Sequence, residues 1–141
     1  MDVAVYSGGD YDGVVALYKN KAAYGGNFDP HRDTPERLMA TSDDGNLYVA
    51  RESGVVIGTF MILDNPHSFW LLRFAVDPVL PAAQGAAAAL LARAQQIAAE
   101  RGHDSIIVYT DSEDETLNSR YADLGFHKAA NYRCYWKETK A

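Results

Sequence analysis

Apolar positions along this chain repeat with a period of two in some stretches and of three to four in others, and the changes of period mark out alternating strands and helices. Residues 69 to 102 show it best, reading FWLLRFAV, then DPVLPAAQ, then GAAAALLARAQQIAAERG. The first segment is an aromatic and aliphatic run of strand length. In the last, Leu90, Leu91, Ala94, Ile97 and Ala98 form one helical face, while Arg93, Gln96, Glu100 and Arg101 fall on its wet side. Gly102 reads as the left-handed residue that ends this helix.

The same reading extends along the chain. Val3 to Tyr6 is a short strand. Asp10 or Asp12 opens a helix with Val14, Val15, Leu17 and Tyr18 on its face, running towards Tyr24 and stopped by Gly25-Gly26. Thr34 and Pro35 are the cap and first residue of a second helix, ended by Ser42-Asp43-Asp44-Gly45. Strands Leu47 to Arg51 and Val55 to Leu63 flank a tight Ser53-Gly54 turn. Both faces of the second strand are apolar, and Gly58 leaves room for a close neighbour. After the Asp64 to His67 turn and the 69 to 102 unit, Ser105 to Thr110 is a fifth strand, parallel to the fourth because a helix joins them. Ser112 and Glu115 form a capping box for a helix faced by Leu117, Tyr121 and Leu124 and ended by Gly125. Two closing strands are expected, around His127 to Ala130 and Tyr132 to Trp136.

The resulting expectation is an α/β (α+β) domain over residues 1–141. Its mixed, mostly antiparallel sheet has six to seven strands and helices on both faces. A chain of 141 residues, 48% hydrophobic and 23% charged, can form such a core without disulfides or metal. The net charge of −6 and the absence of a Lys/Arg cluster argue against a nucleic-acid partner. Cys134 is the single cysteine, which fits a reducing cytoplasm. No segment has membrane-spanning length or the pattern of a signal peptide, and His31, His67, His103 and His127 lack metal-ligand spacing, so neither membrane nor metal is expected.

The turn before the long helix is the candidate for chemistry. Ala82 to Ala89 open the helix with almost no side chain, so its unpaired N–H groups and positive dipole end are open to an anion. An alanine run also makes good helix and packs closely on a sheet, and composition leaves both readings open.

Three stretches together resemble the GNAT (GCN5-related N-acetyltransferase) superfamily: GVVIGTFMIL after a hairpin, V-D-P followed by G-A-A-A-A-L-L, and Y-A-D-L-G-F near the end. The resemblance covers nearly the whole chain. It departs at Ala82, where relatives carry a basic residue; losing one exposed charge-assisted contact is worth on the order of 1 kcal/mol. The resemblance implies acetyl-CoA as co-substrate, with strands four and five splayed beyond Val76. Backbone groups of Phe74 and Val76 would then meet the pantetheine arm, and those of Gln84, Gly85, Ala86 and Ala87 the pyrophosphate. It further implies Tyr121 as general acid and a primary amine of a small molecule or peptide as acceptor. A homodimer with an edge at Tyr132 to Trp136 is compatible with it.

The fourth strand carries no carboxylate, so the candidates for a general base are Glu36, Asp64, His67 and Asp111. Tyr24, Phe28, Asp29 and Glu36 are candidate acceptor lining, and Arg73 would repel an ammonium or hold an acidic group. The alternative is a GNAT-fold protein that binds acyl-CoA or a partner with little chemistry.

Overall fold

The computed structural model describes residues 1–24, 27–110, 113–129 and 133–140, with only the backbone at Tyr24. The chain divides into two compact units, Met1–Tyr109 and Thr110–Ala141.

The first unit holds β1 (Asp2–Val5), α1 (Tyr11–Lys19), α2 (Lys21–Tyr24), α3 (Pro35–Asp43), β2 (Leu47–Glu52), β3 (Val55–Asn65), β4 (Ser68–Val76), α4 (Ala83–Glu100) and β5 (Ile107–Val108). Its sheet runs in the order β1-β2-β3-β4-β5, antiparallel except for the parallel β4–β5 pair. Alternation along the strands separates two faces. Leu47, Val49 and Met61 join Val14, Tyr18 and Leu38 in the core under α1 and α3. On the other face Tyr48 stacks on Phe60 with ring centres 5.2 Å apart, and the Arg93 guanidinium of α4 lies 5.7 Å from the Tyr48 ring centre.

Local signals account for many boundaries. Ser53 and Gly54 both have positive φ, the geometry of a two-residue hairpin turn that keeps the strand twist. Thr34 caps α3 by accepting the Arg37 N–H at 3.2 Å, with Pro35 as its first residue. Gly102 follows α4 at φ +86. The buried face of α4 comprises Ala86, Leu90, Leu91, Ala94, Ile97 and Ala98. Gly58 is where this face meets the sheet: a Cβ there would lie 2.7 Å from Leu90 Cδ1 and 3.2 Å from Val76 Cγ2.

The structure corrects the sequence reading in four places. The expected first helix is two, because Asn20 is extended at φ −81, ψ 107 and its Oδ1 accepts the Ala22 N–H at 3.0 Å, starting a new turn; Gly25 and Gly26 lie outside the described residues. The fifth strand pairs over Ile107–Val108 only. In the second unit α5 spans Glu115–Asp123 and is capped by Asp114, whose Oδ1 accepts the Leu117 N–H at 2.9 Å; Ser112 lies outside the described residues. The sheet has five strands rather than six or seven among the described residues, and 127–129 and 133–140 form none; Ala130 to Tyr132 lie outside them. Alternation makes a segment able to pair, but a strand needs a ladder partner, and Tyr135 and Trp136 are 87% and 81% exposed.

Asp10, read as a helix cap, has a longer reach. Its carboxylate accepts the Ser7 N–H at 2.8 Å and two bonds from Arg51 of β2, at 2.9 and 2.5 Å. Burial pushes this carboxyl up, but the Arg51 guanidinium and the Ser7 N–H and hydroxyl outweigh burial and hold it below the ordinary aspartate range. A carboxyl lowered on folding stabilises the fold above its unfolded pKa of about 3.9, and that contribution is lost as pH falls through the lower folded value. Asp10→Asn should therefore cost about 2 kcal/mol at neutral pH and much less at about pH 2. Urea unfolding at both pH values checks it; an equal cost at the two would contradict this account.

Candidate active site

β4 is irregular at its centre. Leu72 pairs with Met61 and Ala75 with Thr59, so Arg73 and Phe74 together oppose the single residue Phe60. This is a β-bulge, and Arg73 takes φ +52, a conformation ordinarily left to glycine and worth about 1–3 kcal/mol of strain in other residues.

The bulge decides which way the following backbone points. Asp77 N–H donates to Ile57 O at 3.1 Å. Inward and outward groups alternate along an antiparallel strand, so Ala75 and Asp77 face β3 while Val76, opposite Gly58, turns its N–H and C=O away from it. On that outer side β5 pairs only with Trp70 and Leu71. Phe74 and Val76 thus lie past the end of the β4–β5 ladder.

The chain then turns through Pro78 and Pro81 into α4. Asp77 Oδ1 accepts the Val79 N–H at 3.0 Å and shapes the turn. Ala83 N–H bonds Leu80 O at 3.0 Å, and Ala86 N–H begins the helical ladder on Ala82 O at 2.8 Å. The N–H groups of Gln84 and Gly85 fall between these two bonds, on exposed residues. Ala82 offers no side-chain cap and the first turn no acidic residue. A Cβ at Gly85 would meet only Met1 Cε, at 3.7 Å. An 18-residue helix therefore presents two open donors and an uncompensated dipole end beside small residues, which fits a phosphate group.

The candidate bases are dispersed. Asp64 accepts from Arg101 at 3.2 Å and lies 3.6 Å from His103 Nε2, at the C-terminal end of α4 and about 27 Å from its start. His67 is in the turn before β4, at the far end of that strand from Val76, and Glu36 is exposed in the first turn of α3. Asp111 lies outside the described residues. Among the candidate lining residues, Asp29 accepts the His31 N–H at 2.8 Å, and Phe28 packs on the α1 core with Lys19 Nζ 4.8 Å from its ring centre. The side chain of Tyr24 lies outside the described residues.

Sequence reasoning missed Asp33. Its side chain is 3% exposed and pairs with Arg73, whose guanidinium also lies 4.9 Å from the Tyr18 ring centre. Arg73 is thereby engaged within the fold. No sequence signal joined Asp33 and Arg73, which are 40 positions apart. In the second unit Tyr121 is buried on α5 and meets Phe126 edge-on at 5.5 Å. Among the described residues there is no cluster of three potential metal ligands, and no helix is long and apolar enough to cross a membrane.

These features define a mixed α/β protein with a short parallel strand pair, whose longer strand leads into an open helix start. The sequence profile of the acetyltransferase (GNAT) family matches residues 14–126, and the chain belongs to that family. Solved structures share the fold. The chain is similar to aminoglycoside 6'-N-acetyltransferase AAC(6')-Ig from Acinetobacter haemolyticus, with TM-score 0.77, 12% identity, and 99% of this chain and 100% of that one covered. It is also similar to the PaiA N-acetyltransferase from Thermoplasma acidophilum, a complex with coenzyme A (TM-score 0.73, 16% identity, 86% of each chain). A third is an N-acetyltransferase from Staphylococcus aureus Mu50 (TM-score 0.69, 19% identity, 92% of this chain and 84% of that one). No curated protein sequence matches the chain.

Proposed function

We propose that this chain is an N-acetyltransferase that uses acetyl-CoA to acetylate a primary amine of a small molecule or peptide, and that residues 1–141 act as one catalytic domain. The observation that carries this reading is the succession of an outward-turned Val76 edge and an uncapped α4 start. Family membership and the coenzyme A held by the PaiA relative support it.

When bound, acetyl-CoA supplies an acetyl group activated as a thioester. The N–H groups of Gln84 and Gly85 would hold the pyrophosphate, with the small Ala87 close by; the Ala86 N–H, expected to join them, is taken by Ala82 O and its side chain packs on the sheet. Phe74 and Val76 align the pantetheine arm along the β4 edge, and the Val76 N–H polarises the acetyl carbonyl. The amine nitrogen would attack that carbon directly, forming the amide bond as the carbon–sulfur bond breaks, and Tyr121, the general acid that the family resemblance implies, would give its phenolic proton to the departing sulfur. The dispersal of the candidate carboxylates leaves positioning as the main source of rate, with the amine proton passing to solvent.

The test is a thermal-shift titration with acetyl-CoA, CoA and ATP, followed by calorimetry. At about a hundred times its dissociation constant a ligand adds roughly 2.7 kcal/mol, raising the melting temperature by several degrees. Both CoA forms should shift the protein and ATP should not, and Gly85→Glu, which sets a carboxylate on the donors, should weaken CoA at least about tenfold. No shift at millimolar CoA would sink the reading. The lack of a basic side chain at Ala82 and of a carboxylate on β4 favours a second reading, an acyl-CoA-binding protein with little chemistry. It is the outcome if CoA binds and no amine in a broad panel is acetylated.

A further inference from the structure

We infer that the ion pair between Arg73 and Asp33 is the clamp that holds the β4 bulge, which makes these two side chains positioning residues for the backbone edge at Phe74–Val76. The inference rests on the proposed cofactor site and adds to it the device that orients one wall.

The bulge sets the parity of the strand. If Arg73 were accommodated as a regular residue, pairing would continue from Leu72↔Met61 in step, bringing Val76 opposite Ile57. Val76 would then take the place in the β3 ladder that Asp77 now fills with its 3.1 Å bond to Ile57 O. Its N–H and C=O would be consumed there, and Ala75 would face outward in its stead. A one-residue slip inverts every group beyond it, so the outward edge exists only while the extra residue stays in the left-handed conformation. Arginine does not favour that conformation intrinsically, so contacts outside the strand must hold it.

Those contacts are present. The Arg73 side chain leaves the sheet on the α1 face, passes the Tyr18 ring and ends on the Asp33 carboxylate. Asp33 is anchored independently of Arg73. Its Oδ2 accepts the Asp29 N–H at 2.8 Å, its own N–H donates to Asp29 O at 2.8 Å, and its carbonyl accepts the Tyr11 hydroxyl at 2.7 Å. The carboxylate is thus a fixed point built by α1 and the loop before α3, and the guanidinium transmits its position to β4. A guanidinium suits this task because its planar fork fixes direction as well as distance.

Three variants decide the matter: Asp33→Asn, Arg73→Ala and Arg73→Gly. Glycine keeps the left-handed conformation accessible while losing the ion pair, and the isosteric asparagine keeps the shape of the loop. In the unliganded protein, amide exchange over residues 72–77 should rise at least about tenfold in Asp33→Asn and Arg73→Ala, with β2 unchanged. Calorimetry should show CoA weakened about tenfold in both. Arg73→Gly should melt below the unaltered protein, because it loses the ion pair, yet bind CoA within about threefold of it, a separation that a purely structural contact would not produce. Unchanged exchange and affinity in Asp33→Asn and Arg73→Ala would overturn the clamp, as would CoA binding in Arg73→Gly as weak as in Arg73→Ala. Failure of the unaltered protein to bind CoA would instead remove the cofactor reading, and the exchange data would still decide the clamp.

Discussion

Replacing Tyr121 by phenylalanine should lower kcat for a responsive amine by about 10²–10³-fold and leave the dissociation constant of acetyl-CoA unchanged, because the variant removes the phenolic proton donor and keeps the ring. The ring itself is retained, so its edge-on contact with Phe126 at 5.5 Å survives. In the proposed reaction a thiolate departs, and without a donor it must leave as an anion. Steady-state kinetics with calorimetry alongside makes the comparison. Equal kcat in the two proteins would reduce Tyr121 to a packing residue. A parallel loss of acetyl-CoA affinity would mean that it binds rather than protonates.

Introducing valine at Gly58 should destabilise the protein by about 3 kcal/mol, lowering the melting temperature by roughly 10 °C. Even the first carbon of a side chain would stand 2.7 Å from Leu90 Cδ1, 3.2 Å from Val76 Cγ2 and 3.4 Å from Ala75 O. The Leu90 methyl can swing aside for that carbon, but the two further carbons of valine would have to fit between α4 and Val76 as well. Gly58 also opposes Val76, so the strain falls on the proposed cofactor edge and CoA affinity should drop with stability. Combining Gly58→Ala with Leu90→Ala tests the cause: the double variant should be less destabilised than the sum of the two singles, by more than about 1 kcal/mol. Strict additivity would show that α4 does not press on β3 at this point.

What could be read ahead of the structure followed from short-range physics. The α4 face repeats at helical spacing, Thr34-Pro35 carries its own capping chemistry, Ser53-Gly54 suits a tight turn, and Gly58 stands out in an apolar strand. The small residues at the start of α4 were visible for the same reason. The helix break at Asn20 was not, because asparagine is as much at home near a helix end as inside a loop. The closing strands failed in the opposite sense: Cys134 and Trp136 alternate as a strand should, but alternation describes one partner of a ladder and says nothing of the other.

By itself, then, the sequence determined the order of the elements from β1 to α5 apart from the helix break at Asn20, the buried face of α4, the small residues at its start and the motifs that carry the family likeness. Each depends on residues within a few positions of one another, where propensity and periodicity act directly. The tertiary structure alone decided the bulge at Arg73, its partner Asp33, the direction of the Val76 backbone and the removal of Asp64 and His67 to the far end of the sheet. The reason is physical: an arginine in the left-handed conformation is unfavourable by local energetics, and it is stable here because a buried carboxylate 40 residues away in sequence holds it there.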